Sequence, residues 1–224
     1  MAEGELMGIH KQVGSCQIAN LVEIYDKYFP DKKDGVFVEV GAYDGYEFSN
    51  TWELAELGWT GRMYEPIGEL ALRCEGAHKD HNVTVICSAV GDFDGEIDIS
   101  VGEDIFGPDA TTDPSMINSE AFDVKYVSTV KVPIVTLNRD LPDEFWLHPL
   151  DLLVIDVEGS ELQVLKGISL DLFQPRMMIV ETHKGNGDVR RSVHAEEIDE
   201  YILARGYEEI QCDGLNSIYW RLPK

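Results

Sequence analysis

Positive charge is scarce in this chain. Eighteen lysines and arginines face 42 aspartates and glutamates, a formal net charge of −24 over 224 residues. A field of that sign repels polyanions, which argues against nucleic acid and anionic membranes as partners and mildly favours a cationic ligand. Its plainest effect is solubility. Cysteine is sparse too. Cys16, Cys74, Cys87 and Cys212 form no Cys-x-x-Cys pair, and none lies near clustered histidines. That argues against a zinc site or a disulfide framework and predicts reduced thiols in a cytoplasmic protein. No apolar run approaches the length of a membrane span. The stretch from Met1 to Gly14 is polar and lacks an apolar signal core, so no secretion is expected.

A glycine is also missing where it would be informative. Val36-Phe37-Val38-Glu39-Val40 is short, apolar and β-branched, as a buried parallel strand reads, and Gly41-Ala42-Tyr43-Asp44-Gly45 follows as a turn. Strand, glycine turn and helix form the nucleotide-binding end of a Rossmann-like unit. The pattern is Glu-x-Gly-x-x-Asp-Gly, without the third glycine that a dinucleotide pyrophosphate requires. That argues against a nicotinamide-dependent dehydrogenase. An acid two residues before the first glycine suits a cofactor with an amino group or a positive charge, and S-adenosylmethionine carries both.

The length suits one α/β domain with a full core. Residues 1–15 read as a tail. Gln17 to Phe29 is a predicted helix with Ile18, Leu21, Val22 and Tyr25 on one face, stopped by Pro30. Phe48 to Leu57 is a second, with Gly58 as its stop. Arg62 to Glu65 is a predicted strand ending in an acid. A carboxylate about 20 residues beyond the glycine turn is placed to accept both ribose hydroxyls. Gly68 to His78 reads as helix and Val83 to Cys87 as strand, with Ser88 and Ala89 at the edge that would flank adenine. Glu96 to Val101 alternates as a half-exposed antiparallel strand. Residues 102–128 are turn-rich, as lids, binding loops or disordered segments are, and Val130 to Leu137 returns to strand character.

The second informative stretch is Leu152-Leu153-Val154-Ile155-Asp156-Val157-Glu158-Gly159-Ser160-Glu161, a buried strand running into acids and glycine. Leu162 to Ile168 follows as helix. Met177 to His183 is the next strand, again with a polar end. Ala195 to Arg205 is a helix stopped by Gly206. Tyr207 to Cys212 and Ser217 to Leu222 form a hairpin about residues 213–216. Neighbouring parallel strands bring their C-terminal ends together, so Asp156, Glu181 and His183 are expected to share one small volume. They would serve there either as ligands of Mg²⁺ or Mn²⁺, or with His183 as a general base oriented by a carboxylate. The metal-free base is preferred, because no ligand set is complete from the sequence.

Glu-Val-Gly-Ala-Tyr-Asp-Gly at 39–45, Tyr-Glu-Pro at 64–66, Ser-Ala-Val-Gly-Asp at 88–92, Val-Pro-Ile-Val-Thr-Leu at 132–137, Ile-Asp-Val-Glu-Gly-Ser-Glu at 155–161 and Glu-Thr-His at 181–183 occur in that order. Together they resemble the FkbM-type methyltransferases, a branch of the class I S-adenosylmethionine-dependent enzymes. Tyr43 departs from the class pattern, where many members have a glycine. The resemblance implies a Rossmann-like doubly wound α/β sheet, mostly parallel with a C-terminal antiparallel hairpin. It implies a domain over 34–224 preceded by a tail and helix over 1–33. It further implies S-adenosylmethionine as cofactor and O-methylation, often of a sugar, glycan or sugar-bearing natural product. By resemblance, Glu39, Gly41 and Asp44, with Ala42 and Tyr43 between them, hold the methionine end. Glu65, with Pro66, takes the ribose, Ser88 and Ala89 flank adenine, and Asp156 lines the reacting end. The alternatives are a natural-product O-methyltransferase or a binding module that kept the cofactor without activity.

Overall fold

The apolar runs of the central strands divide by parity between two cores. In chain order the elements are α1 (Leu21–Tyr28), β1 (Val36–Val40), α2 (Trp52–Glu56), β2 (Thr60–Tyr64), α3 (Gly68–Ala77), β3 (Val83–Ile86), β4 (Ala89–Val90), β5 (Gly95–Gly102), β6 (Ala110–Thr111), β7 (Tyr126–Val135), α4 (Leu137–Asp140), β8 (Leu152–Ile155), α5 (Glu161–Lys166), α6 (Leu170–Phe173), β9 (Met177–Glu181), α7 (Ala195–Leu203), β10 (Tyr207–Cys212) and β11 (Asn216–Arg221). They come from a computed structural model that describes residues 16–102, 110–111, 126–143, 145, 150–183 and 195–223. Leu152 and Val154 of β8 enter one core with Phe37, Met177 and Ile179. Leu153 and Ile155 enter the other with Val38, Val40, Met178 and Val180. A strand covered on both faces has no polar side to show, which is why it reads as an unbroken apolar run. Each such side chain stabilises the fold by about 1.5–3 kcal/mol when fully buried.

The main sheet has the order β10-β11-β9-β8-β1-β2-β3. Its pairs are parallel except at β11, which runs antiparallel to both β9 and β10. The α1 and α2 helices and Cys74 of α3 cover one face, and α5, α6 and α7 cover the other. This is the doubly wound α/β arrangement with a C-terminal hairpin. Ile18, Leu21, Tyr25 and Phe29 share a core with the sheet, so the segment from residue 18 packs as part of the domain. Among the described residues no helix is long and apolar enough to cross a membrane.

A second sheet, β4-β7-β5-β6, stands beside the first. Ala89, Ile99, Val101, Val132 and Ile134 of this sheet cluster with Ile67 and Leu70. Val130 to Leu137 is therefore not one strand. β7 starts at Tyr126 and ends at Val135, and Leu137 opens α4. Of the turn-rich 102–128 segment, 103–109 and 112–125 lie outside the described residues, as do 1–15; β6 pairs with β5.

Three predicted elements shorten for local reasons. The first helix begins at Leu21, because Asn20 exchanges two side-chain hydrogen bonds with Gln211 (2.9 and 2.8 Å) instead of capping. Its buried face carries Ile24 where Val22 was expected. The second begins at Trp52. Phe48 sits in the left-handed region (φ 61°), and Ser49 Oγ accepts from the backbone N–H groups of Thr51 and Trp52 (3.2 and 3.1 Å). The strand at 177 ends at Glu181, after which the N–H groups of Thr182 and His183 both donate to Leu215 O.

Candidate active site

The C-terminal ends of β1, β2 and β8, with the second sheet as a side wall, enclose a cavity of about 160 Å³. This is the sheet edge at which open α/β folds bind ligands. Its floor is the glycine turn after β1. The N–H groups of Gly41 and Ala42 both donate to Tyr64 O (2.9 and 3.0 Å), which peels the chain off β1 and hooks it over the end of β2. Gly41 has φ 87°, and a Cβ there would lie 1.7 Å from Asp156 O. Only glycine fits so close an approach between the first and fourth parallel strands.

Two buried acids flank the turn. Glu39 Oε2 accepts from Thr51 Oγ1 (2.5 Å), and burial pushes its carboxyl up to about 7 against that hydrogen bond and one from the Asn50 amide. Glu65 lies just past β2. Its two oxygens accept from Tyr43 N (3.1 Å) and Ile67 N (2.8 Å), and burial pushes it too up to about 7. No cation contributes to either acid among the described residues. Both are met by hydroxyl and amide donors, so a ligand that brings positive charge and donor groups is favoured beside them.

The remaining expected cofactor residues divide. Ala42, Tyr43, Pro66, Ser88, Ala89 and Asp156 line the cavity with Glu39, Gly41 and Glu65. Asp44 does not. Its Oδ1 accepts from Tyr46 N (2.9 Å) and Glu47 N (2.8 Å) and shapes the loop instead. Ser88 lines the cavity, but its hydroxyl donates to backbone carbonyls, with Ala89 O at 2.9 Å and Pro133 O of β7 at 3.0 Å. Opposite, Ile97, Ile99 and Ile134 of the second sheet give an apolar wall suited to a flat aromatic ring.

At the ends of β8 and β9, register pairs Ile155 with Val180, so Asp156 and Glu181 emerge side by side. Glu181 is 3% exposed. Burial drives its carboxyl well above the ordinary range, and Asp156, Glu158 and Glu161 add like-charge repulsion. His183 Nε2 lies 3.1 Å from Glu181 Oε1. Glu158, Glu181 and His183 each offer one ligand atom, all within 4.8 Å of one another. Asp156, expected to share a cation with Glu181, stands outside that closest set; Glu158 takes its place. Tyr43 (φ 52°), Phe48 (φ 61°), Glu158 (φ 54°) and His183 (φ 46°) adopt left-handed backbone around this region. Such strain concentrates where structure over-determines a functional geometry.

Two residues of the site had no signal of their own in the sequence. Glu158 lies within the Ile-Asp-Val-Glu-Gly-Ser-Glu run at 155–161. Gln17 lines the cavity and donates from Nε2 to Asp156 Oδ2 (3.1 Å), across 139 positions of sequence.

Glu65→Ala is expected to weaken binding of S-adenosylhomocysteine by about 1.5–3 kcal/mol, the range for hydrogen bonds to a charged acceptor. Titration calorimetry reads this directly, and unchanged affinity would remove Glu65 from the cofactor site.

A family model described as the methyltransferase FkbM domain matches residues 39–209. No curated protein matches. Among solved structures, the chain is similar to a precorrin-6y C5,15-methyltransferase from Geobacter metallireducens GS-15, with 11% identity and a TM-score of 0.47, covering 89% of this chain and 87% of that one. A putative rRNA methylase from Clostridium thermocellum gives 10% identity and a TM-score of 0.47, with 96% and 99% covered. The human methyltransferase 10 domain containing protein gives 10% and 0.43, with 94% and 85% covered. The matched span runs from the acid of β1 into β10 and takes in both strand-end clusters, and the chain belongs to the FkbM methyltransferase family.

Proposed function

We propose that this methyltransferase uses S-adenosylmethionine to methylate a hydroxyl of a sugar or glycan. What supports the reading is that Asp156 and Glu158, which line the cavity, adjoin Glu181 and His183, which lie outside its lining, at one sheet edge. The glycine turn with Glu39 and Glu65 suits a cationic nucleoside cofactor, and the Asp156–Glu181–His183 group beside it can receive a proton. Bound there, the cofactor supplies a methyl on a sulfonium, which a hydroxyl oxygen takes as the S–C bond breaks and the hydroxyl proton leaves. Glu39 answers the cofactor's positive end. Glu65 accepts from the ribose with the lone pairs its amide partners leave, and the isoleucines of the second sheet cover the ring. His183, held by Glu181, takes the hydroxyl proton. A natural-product hydroxyl would meet the same groups. The net charge of −24 disfavours a nucleic-acid acceptor, and four free thiols agree with a reducing, cytoplasmic setting.

One observation favours a second reading of the same cluster. Glu158, Glu181 and His183 together have the oxygen and nitrogen donors and the spacing to hold a divalent cation. A single experiment separates the two. Exhaustively chelated enzyme is given methyl-labelled S-adenosylmethionine and a panel of neutral methyl glycosides. Label is expected in an O-linked methyl at the full rate, with a 10²–10⁴-fold loss in His183→Ala, the usual contribution of a general base. Activity abolished by chelation and restored by Mg²⁺ or Mn²⁺ would replace the base with the cation. Near-normal turnover of His183→Ala would remove the base, and label on nitrogen or carbon would remove O-methylation.

A further inference from the structure

We infer that Gln17, ahead of the first sheet strand, is a positioning residue that holds Asp156 in place for methyl transfer. The inference rests on the functional reading above and adds to it a part of the chain upstream of the family-matched span.

Gln17 lines the cavity, and its amide is held at both ends. Nε2 donates to Asp156 Oδ2 at 3.1 Å, and Oε1 accepts from Asn216 Nδ2 at 3.4 Å. Asn216 is 2% exposed and lies on β11, between β9 and β10. With the Gln17 oxygen turned to Asn216, its N–H₂ group faces the carboxylate.

The backbone around Gln17 is fixed on two sides. Asn20 and Gln211 exchange hydrogen bonds on the β10 side. On the other, Cys16 forms a parallel bridge with Phe48, and Tyr25 Oη donates to Asn50 O (2.7 Å). Ile18, next in sequence, is 1% exposed in the core. A loosely attached tail would not present one amide to one carboxylate oxygen in this way.

The neighbours of Asp156 give that amide its effect. Asp156 also has a side-chain hydrogen bond with Glu181 of β9, and Glu39 of β1 and Glu161 are acids close enough to act on it. A carboxylate bonded only to an acidic neighbour is free to rotate. A neutral donor fixed at both ends holds one oxygen, Oδ2, in place. It does so without contributing a cation that would compete with a positively charged cofactor.

The test reads Asp156 itself. In a crystal structure of Gln17→Met, the Asp156 carboxylate is expected to leave the position it holds in a crystal of the parent. Gln17→Glu, of the same length without the donor, is expected to displace it as well. Transfer to whichever methyl glycoside the parent accepts should fall about ten-fold or more in kcat in both variants, with KM little changed. An Asp156 carboxylate unmoved in both variants, or unchanged kcat in both, would overturn the inference. Should the parent bind no S-adenosylhomocysteine and methylate nothing, the functional reading fails, while the position of Asp156 still decides whether Gln17 holds that carboxylate.

Discussion

Gly41→Ala is expected to destabilise the protein by several kcal/mol or to prevent it from folding. The backbone at this position has φ 87°, and an added Cβ would lie 1.7 Å from Asp156 O and 2.8 Å from its carbonyl carbon. Neither obstacle is a side chain that can swing aside. Asp156 N donates to Val40 O at 3.0 Å, so the obstructing peptide is itself tied to the strand carrying Gly41. Relief requires separating β1 from β8 at the centre of the sheet, among the class of changes with the largest effects. Gly206→Ala is the control. Its φ is 85°, but nothing lies within 4 Å of the added atom. Only conformational strain remains there, about 1–2 kcal/mol. Urea unfolding of both variants makes the comparison, and equal small losses would mean that β1 and β8 do not approach so closely.

The stability of the cofactor-free protein is expected to fall as pH rises from about 4.5 to about 7, opposite to the usual acid denaturation. Burial raises Glu39, Glu65 and Glu161 from 4.5 to about 7. Between those values the folded chain keeps protons that the unfolded chain has released. Stability falls with pH wherever the native state binds more protons. The contribution of each acid is complete below 4.5 and gone above about 7. A shift of that size corresponds to about 3 kcal/mol per group. Urea midpoints at pH 5 and pH 8 test this, and Glu39→Gln should flatten the profile. Stability that climbs through that window would mean these carboxyls are ionised in the folded protein. A bound cation-bearing cofactor stabilises the ionised form of Glu39 and Glu65, so it should restore part of the loss at pH 8.

The sequence carried the central sheet clearly because each buried strand serves two cores. Val36–Val40 and Leu152–Ile155 could hardly read as anything but parallel strands. Glu39, Glu65 and Asp156 stood out for a related reason: acids in or at the ends of such strands need an explanation. The second sheet was less legible. Glu96 to Val101 alternates as a half-exposed strand should, yet from Ile99 to Gly102 both faces are buried, and nothing in the alternation says that Ile97 and Ile99 face a ligand. Asp44 was expected at the methionine end by resemblance to the family, but here its carboxylate satisfies loop amides. Gln17 was out of reach in principle. Its partners Asp156 and Asn216 lie on strands far along the chain, and a lone glutamine near the first helix carries no local pattern.

The placement of β11 bears on how the molecule is made. A ribosome releases β10 before β11, yet β11 is the strand that joins β10 to β9. While the nascent chain ends short of residue 216, β9 has an open edge and β10 has no neighbour in the main sheet. Asn216, which turns Gln17 toward Asp156, is the first residue of that late strand. Gln17 and β11 therefore meet at the reacting end. Until β11 pairs, the exposed edge of β9 is a site for mispairing with other chains.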